Sequence, residues 1–500
     1  MKIIKNNKGY VALILVLIVA SVALAVGISI SLSGISEVKM AFSETQSEKA
    51  YNYALSCQEE ALNYIKSNWE SYNSTLNFAD GTCTLEISVG FGNGSDGALS
   101  VAGETTIDDV KRPLANGNYG AGEAEENKIT ISNAAGEGSF SVDDDVLLIQ
   151  MNNNDFPNNL AGQYEEMTIS GINGDEILFD ENMGNSYIQD GVGEKVQVIR
   201  IPQYTNVTIV DGATLTTDGW DGNVGGILAF KANNNLNFEG SGQISVVGKG
   251  YRGGSCGNCG FDAWGQCGEG ITGVGSGGGA TPVDNYEVWW WWPHTFPDTG
   301  SNGGAGGYYR TLYLGTAGGG GSNVTVGGEG IDFLGAIADF GNDLSYDLSN
   351  KLIFGGGGGG GGGNNGVTPN PDGGAGGGTA YIYAQYTNNA NITAKGGAGV
   401  GRSGSIIGAV GGGGAGGDIF LRAATLTTNI MDISGGAGGQ DTFDAGGAGG
   451  EGGLDATTTE GNAIINVIGT ATDDTGSYVR KIEIEADSDL NIINWQELTN

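Results

Sequence analysis

The chain has 500 residues, of which 96 are glycine and 8 are proline, and its formal net charge at pH 7 is −36. This glycine content without a strict three-residue repeat excludes collagen, and the β-branched segments between the glycines argue against plain disorder. The acidic balance argues against nucleic acid as a partner, because phosphate binding relies on Lys and Arg. It suits a surface protein, with Ca²⁺ as the one candidate cofactor.

The first predicted element in chain order is a long N-terminal helix. A leader over 1–9 carries three lysines and ends at Gly9, and an uncharged run over 10–35 comes next. A helix of about 26 uncharged residues can span a bilayer. Apolar residues recur at three- and four-residue steps from Ser36 to Trp69, which predicts that the helix continues. A secretory signal, a signal anchor and a membrane anchor with a coiled-coil stalk are the alternative interpretations.

Strands at both ends of the chain complete the first predicted unit. After a polar turn over 73–81, residues 83–89 alternate in polarity, and the alternation resumes at 462–471, 478–485 and 490–495. One helix and these strands predict an α+β unit that a long insertion divides.

Together with the predicted export signal, the odd count of five cysteines suggests up to two disulfides with one thiol left over. A disulfide between Cys57 and Cys83 would stabilise the helix and strand by about 3 kcal/mol; two buried thiols are the alternative. Cys256, Cys259 and Cys267 have the spacing of half a zinc site, but a disulfide plus one remaining thiol is the favoured interpretation.

The first part of the insertion is acidic and rich in predicted strands. Asp143, Asp144 and Asp145 form a carboxylate triplet that is a candidate metal site, and a solvated strand edge is the alternative.

The second part of the insertion contains a repeat. Segments 225–232, 377–384 and 416–423 each begin with Gly-Gly and end at alanine, and the last two begin 39 residues apart. Each repeat has too little apolar surface to fold alone, which predicts stacked units of a solenoid. The glycine tracts between the repeats are either flexible loops or polyproline-II-like helices that pack closely because they lack Cβ atoms.

An aromatic cluster interrupts this repeat region and is the candidate binding site. Its residues are Trp289, Trp290, Trp291, Trp292, His294 and Phe296. Four tandem tryptophans cannot all face one side of a strand, so they serve either as exposed anchors for sugars and proteins or as a hydrophobic plug. Catalysis has little support, because the chain has one histidine and no recognisable catalytic motif. The chain is therefore predicted not to be an enzyme.

The start of the chain resembles type IV pilin-like proteins, as does the Cys-Gln-Glu-Glu-Ala-Leu motif at 57–62. The resemblance implies cleavage by prepilin peptidase after Gly9, with Tyr10 as the new N-terminus of the methylation motif. It also implies other pilin subunits and the pilus assembly machinery as partners. Pilins of the filament shaft usually carry Glu at the fifth mature position, which here is Ile14, so the resemblance implies a minor pilin at the filament tip.

Residues 140–455 resemble a bacterial extracellular family of glycine-rich β-solenoids. The resemblance rests on the segments 198–208 and 248–254 and on the Gly-Gly-Ala-Gly repeats. It implies surface display and attachment, and it carries over no catalytic residues.

Together these observations predict an α+β pilin-like domain, with a long helix and an antiparallel sheet. It carries a large all-β insertion, a glycine-rich β-solenoid with polyglycine-II helices. The predicted segments are a leader at 1–9, a membrane or filament-core helix at 10–35, the pilin domain at 36–92 and 462–500, an acidic β domain at 93–210 and the solenoid at 211–461.

The predicted function is adhesion to surfaces, glycans or other cells by a subunit that starts in the cytoplasmic membrane and then joins an extracellular filament. Three alternatives remain open at this point: a competence minor pilin that captures DNA, a membrane-anchored surface protein outside any filament, and a solenoid enzyme that degrades polysaccharides. The acidic charge disfavours the first of these.

Overall fold

The computed structural model divides the chain into two compact units, 1–93 with 485–500, and 94–484. The described residues are 72–78, 81–87, 91–109, 114–116, 126–131, 140–153, 160–189, 194–255, 266–272, 302–307, 317–331, 340–344, 350–362, 372–401, 410–440 and 445–458, with short pieces at 294–295, 309–311, 314–315, 337–338, 346, 348, 467–468, 472–473 and 476–477.

The strands are short in the first part of the chain and long in the glycine-rich part. They are β1 Tyr72–Phe78, β2 Gly81–Ile87, β3 Gly97–Val101, β4 Glu104–Thr106, β5 Leu114–Asn116, β6 Lys128–Thr130, β7 Asp145–Asn152, β8 Tyr164–Asn173, β9 Glu176–Phe179, β10 Lys195–Arg200, β11 Gln203–Ile209, β12 Thr214–Thr216, β13 Ile227–Phe238 and β14 Gln243–Ser245. They continue with β15 His294–Thr295, β16 Tyr309–Thr311, β17 Leu314–Gly315, β18 Gly330–Ile331, β19 Ile337–Ala338, β20 Thr379–Thr393, β21 Ile419–Asp432, β22 Leu454–Thr458, β23 Val467–Ile468, β24 Thr472–Asp473 and β25 Gly476–Ser477.

The predicted α+β pilin fold is wrong. The described residues are nearly all β, and their one helical element is a 3-10 turn at Ile107–Asp109. The predicted polar turn at 73–81 instead supplies most of β1, which pairs with β2 in an antiparallel hairpin. Tyr72, Leu76 and Phe78 alternate with polar residues, and this strand pattern outweighs the turn-forming residues between them.

The predicted helix over 10–69 lies outside the described residues. Among the residues that are described, no helix is long and apolar enough to cross a membrane. At the other end of the chain, β23 lies in the region predicted as closing pilin strands. It pairs in parallel with Met431 and Asp432 of β21 instead.

A parallel sheet winds around the main apolar core of unit 94–484. One row of pairing joins β3, β11, β13, β20, β21 and β22, and a second row joins β4, β12, β14 and the last residues of β20. Since β20 and β21 run through both rows, the sheet nearly closes on itself. Ala232, Ala384 and Ala423 pair across three strands, so the repeats aligned in the sequence are neighbours in space.

An antiparallel sheet in the order β5-β10-β7-β8-β9-β6 packs on the outside of the parallel sheet. One of its faces carries Val146, Leu148 and Val198 and covers a core of its own. The other face carries Leu147 and Ile149, which pack with residues on the outside of the parallel sheet, including Tyr381 and Phe420. Successive side chains of β7 therefore point to opposite faces of the sheet, and each face contributes to a different core.

The glycine tracts pack as a bundle of extended chains. The backbone N–H groups of Gly355 and Gly358 donate to the tract over 373–378, those of Gly356 and Gly359 to the tract over 317–322, and those of Gly357 and Gly360 to the segment over 266–269. N–H groups three residues apart therefore point to the same neighbouring tract, which is the geometry of a polyproline-II-like helix. The hydrogen bonds between tracts satisfy these buried backbone groups.

Candidate ligand-binding face

The outer surface of the parallel sheet presents side chains in columns, because the strands pair in parallel register. Ala229, Tyr381 and Phe420 form one column. The next outward column joins Lys231, Tyr383 and Arg422 through the same pairings. Neighbouring side chains in such a column lie about 4.8 Å apart. We call Lys231, Tyr381, Tyr383, Phe420 and Arg422 the aromatic face.

The rings of the aromatic face hold one another in place. Tyr381 stacks on Phe420 with ring centroids 4.8 Å apart and planes at 17°. Tyr383 meets Tyr381 edge-on at 5.4 Å, and the Arg422 guanidinium lies 4.0 Å from the centroid of Phe420. Tyr164 of β8 closes the cluster, with its ring 5.7 Å from that of Tyr381. Each aromatic or cation–π pair contributes about 1 kcal/mol and so stabilises this arrangement of rings.

The charged groups next to the aromatic rings are the buried amine of Lys231 and two carboxylates that contact it. Lys231 Nζ lies 2.5 Å from Glu166 Oε2 and 3.3 Å from Asp145 Oδ2. Burial by itself would lower the pKa of Lys231, but the nearby carboxylates of Glu166 and Asp145 raise it above the ordinary value. Tyr381 Oη donates to Glu166 Oε1 at 2.6 Å, and burial raises the pKa of this phenol well above its usual range.

Solvent reaches only part of the aromatic face. Tyr381 and Phe420 are buried, whereas Tyr383 and Arg422 are half-buried. A ligand could therefore contact Tyr383 and Arg422 directly, while Tyr381 and Phe420 support them from beneath.

Polar columns lie further along the same strands. Ser100, Thr208, Asn237 and Asn388 are paired positions on four successive strands. Asn388 Nδ2 donates to Asn237 Oδ1 at 2.8 Å, which continues the column by a side-chain hydrogen bond. Amides and hydroxyls in a row at strand spacing offer repeated donors and acceptors beside the aromatic face.

Two residues of the predicted carboxylate triplet, Asp144 and Asp145, form ion pairs. Asp144 Oδ1 accepts from Arg200 Nε at 2.5 Å, and Asp145 Oδ2 contacts Lys231. Asp143 adopts a left-handed backbone with φ of 70° at the entrance to β7. Within the described part of the chain, no group of three His, Cys, Asp or Glu side chains is placed to hold a metal ion. The contact between Asp145 and Lys231 joins the antiparallel sheet to the parallel sheet, and the arrangement lends no support to Ca²⁺ binding at the triplet.

Most other predicted site residues lie in other parts of the chain. Gly9, Tyr10, Cys57, Cys256 and Cys259 lie outside the described residues. So do Trp289, Trp290, Trp291, Trp292 and Phe296. The backbone of His294 belongs to β15 and that of Cys83 to β2.

Cys267 is the one predicted cysteine with a described side chain. It is buried in the glycine bundle, where its Sγ accepts a hydrogen bond from Gly306 N at 3.2 Å. The disulfide and zinc interpretations of its neighbours stay predictions.

Sequence reasoning missed the aromatic face, although a signal for it existed. Lys231, Tyr383 and Arg422 occupy the same position of the three aligned repeats, one residue before the shared alanine. Polar or aromatic residues at a recurring outward position of a strand mark an exposed column.

Comparison with protein-family models, curated proteins and solved structures finds no match for this chain. Its function is therefore argued from its own residues.

Proposed function

We propose that this chain is a non-enzymatic adhesin, displayed outside the cell, that binds glycans through the aromatic face. The observation that carries the proposal is the half-buried column of Tyr383 and Arg422, supported by the stacked rings of Tyr381 and Phe420. The basic leader and apolar run over 1–35 favour export. A place in a pilus-like filament rests on those N-terminal residues alone, and they lie outside the described residues.

Glycans fit the chemistry of this face. A sugar ring offers an apolar face that packs on an aromatic ring, while its hydroxyls pair with guanidinium, carboxylate and amide groups. The net charge of −36 disfavours acidic polysaccharides and points to neutral ones. Because Tyr383 and Arg422 form one shallow column, binding at each site would be weak, and several displayed copies would add strength by multivalency.

Replacing Tyr383 by alanine tests this proposal. We expect at least about a tenfold loss of affinity for neutral glycans, equivalent to about 1.4 kcal/mol. Tyr383→Phe should retain most of the binding, because it keeps the ring. The measurement is binding of the full chain to a glycan array, followed by titration of the glycan that binds best.

Val326→Ala is the matched control, since it truncates a side chain that is 47 % exposed and lies outside the aromatic face. Its binding should equal that of the wild type. Absence of wild-type binding to any neutral glycan, or equal affinity of Tyr383→Ala and wild type, would contradict the proposal.

A further inference from the structure

One lysine amine of unit 94–484 lies between two carboxyl groups and beside an aromatic ring. Lys231 has a side chain that is 9 % exposed, and its Nζ contacts Glu166 Oε2 and Asp145 Oδ2. The amine also lies 5.6 Å from the centroid of the Tyr383 ring, and Tyr381 reaches the same carboxylate, Glu166. The amine and the two carboxyl groups are thus already in contact, and only 21 % of the Asp145 side chain and 27 % of the Glu166 side chain are exposed.

We propose that Lys231 and Asp145 form an intramolecular amide bond between their side chains, with Glu166 relaying the protons. Asp145 and Glu166 have different hydrogen-bond partners, and this difference makes Asp145 the carboxyl group that is attacked and Glu166 the proton carrier. Asp145 accepts neutral hydrogen bonds from Thr168 Oγ1 at 3.0 Å and from Gln203 Nε2 at 2.9 Å. Thr168 donates to Oδ1, the oxygen that stays in the amide, and so stabilises the oxyanion that forms on attack, whereas Gln203 donates to Oδ2, the oxygen that leaves.

Glu166 is placed as the proton relay. Its Oε2 is the carboxylate oxygen nearest to the amine, at 2.5 Å against 3.3 Å for Asp145. The carboxylates raise the pKa of Lys231, so the amine must first give a proton to Glu166 before it becomes a nucleophile. The side chain of Glu166 is 27 % exposed, which leaves a route by which the released water departs.

The reaction balances without any other reactant. The ammonium of Lys231 and the carboxylate of Asp145 combine to an amide and one water. A bond forms between Nζ and Cγ, and the bond between Cγ and Oδ2 breaks. Two of the three ammonium protons leave with Oδ2 as water, with Glu166 as the carrier, and the third stays on the amide nitrogen. The two opposite charges disappear together, and Glu166 ends in its starting state.

The bond would join the antiparallel sheet of β5–β10 covalently to the parallel sheet. Asp145 opens β7 of the antiparallel sheet, while Lys231 lies in β13 of the parallel sheet, 86 positions further along the chain. A crosslink over that separation restricts the unfolded chain strongly, by the same loop-entropy argument that applies to a disulfide. It would also need no oxidant, unlike a disulfide.

Peptide mass spectrometry of the purified full chain tests this inference. After digestion under denaturing conditions we expect a branched peptide that contains both Lys231 and Asp145, about 18 Da lighter than the sum of its two parts. Recovery of both residues only in linear, unmodified peptides would overturn the inference. A bond from Lys231 to Glu166 would equally overturn the assigned roles.

Three variants distinguish an amide bond between Lys231 and Asp145 from ion pairing alone. Lys231→Arg keeps the positive charge and should give only linear peptides. Glu166→Gln keeps the shape of the side chain but cannot carry a proton, and it should reduce the crosslinked fraction at least tenfold. This variant tests the inference independently of whether Lys231→Arg folds. Lys128→Met is the matched control, because it removes the lysine of an exposed pair with Glu176, whose atoms lie 3.4 Å apart; it should leave the crosslink intact. A crosslinked fraction in Glu166→Gln equal to that of the wild type would overturn the relay.

Discussion

Replacing Gly358 by alanine will destabilise unit 94–484 by about 3 kcal/mol, the upper end of the usual cost of overpacking. A Cβ atom at this position would lie 2.3 Å from Gly412 O and 2.5 Å from Gly412 C. These are backbone atoms of a neighbouring tract, and Gly412 N is itself tied to Gly359 O at 2.9 Å. Since no flexible side chain can move aside, the tracts must separate. Alanine gains less than about 1 kcal/mol from reduced unfolded-state entropy, which is too little to compensate.

Gly103→Ala is the control for the same chemical change. A Cβ atom at Gly103 meets nothing within 4 Å, so its effect should stay within about 0.5 kcal/mol. Chemical denaturation of both variants, followed by circular dichroism, gives the comparison. Equal unfolding midpoints for Gly358→Ala and Gly103→Ala would show that the tract at 350–362 is not packed as described.

The second large effect concerns pH and the buried carboxylate of Asp418, the residue before β21. Tyr346 Oη donates to Asp418 Oδ1 at 2.7 Å, and Ile353 N donates to Oδ2 at 2.8 Å. Gly453 N donates to Oδ1 at 3.0 Å. These donors favour the charged form, but complete burial outweighs them and raises the pKa of Asp418 from its ordinary value of 3.8 to about 7.

The sign of the pH effect is set by proton binding. Between about pH 4 and pH 7 the folded state holds the Asp418 proton and the unfolded state does not, so this group's contribution to stability falls as the pH rises and is level above about pH 7. The total change is about 4 kcal/mol. Asp418→Asn cannot titrate, so its stability relative to the wild type should improve from pH 4 to pH 7.

Denaturation curves at pH 4.5, 6 and 7.5 measure this difference. The other carboxyl groups of the chain titrate in both proteins, and their contributions cancel in the comparison. Parallel stability profiles for Asp418→Asn and wild type would contradict a raised pKa at this position.

The sequence allowed parts of the fold to be predicted, for identifiable reasons. The repeats at 225–232, 377–384 and 416–423 carry their own alternation and glycine boundaries, so their pairing can be derived from alignment. The strands of the antiparallel sheet were visible for the same reason. By contrast, the resemblance at the N-terminus led to an α+β fold that the described residues contradict, because a pilin pattern over 1–62 does not determine the structure of the residues beyond it.

The candidate site was harder to predict than the strands. Lys231, Glu166 and Asp145 come from three strands in two sheets, and nothing in their spacing of 65 and 86 residues signals that they meet. The triplet over 143–145 suggests a metal site, because carboxylates alone indicate a cation. The cations are instead Arg200 and Lys231, which sequence spacing could not pair with it.

The glycine bundle also bears on how stability varies with temperature. The heat capacity change of unfolding arises mainly from apolar surface, whereas exposure of peptide groups lowers it. Tracts held by backbone hydrogen bonds, such as the one over 350–362, add peptide groups and almost no apolar area. Unit 94–484 should therefore unfold with a heat capacity change per residue below the usual value of about 12–15 cal/mol/K, and its stability curve should be flat. A flat curve keeps a protein folded in both cold and warm surroundings.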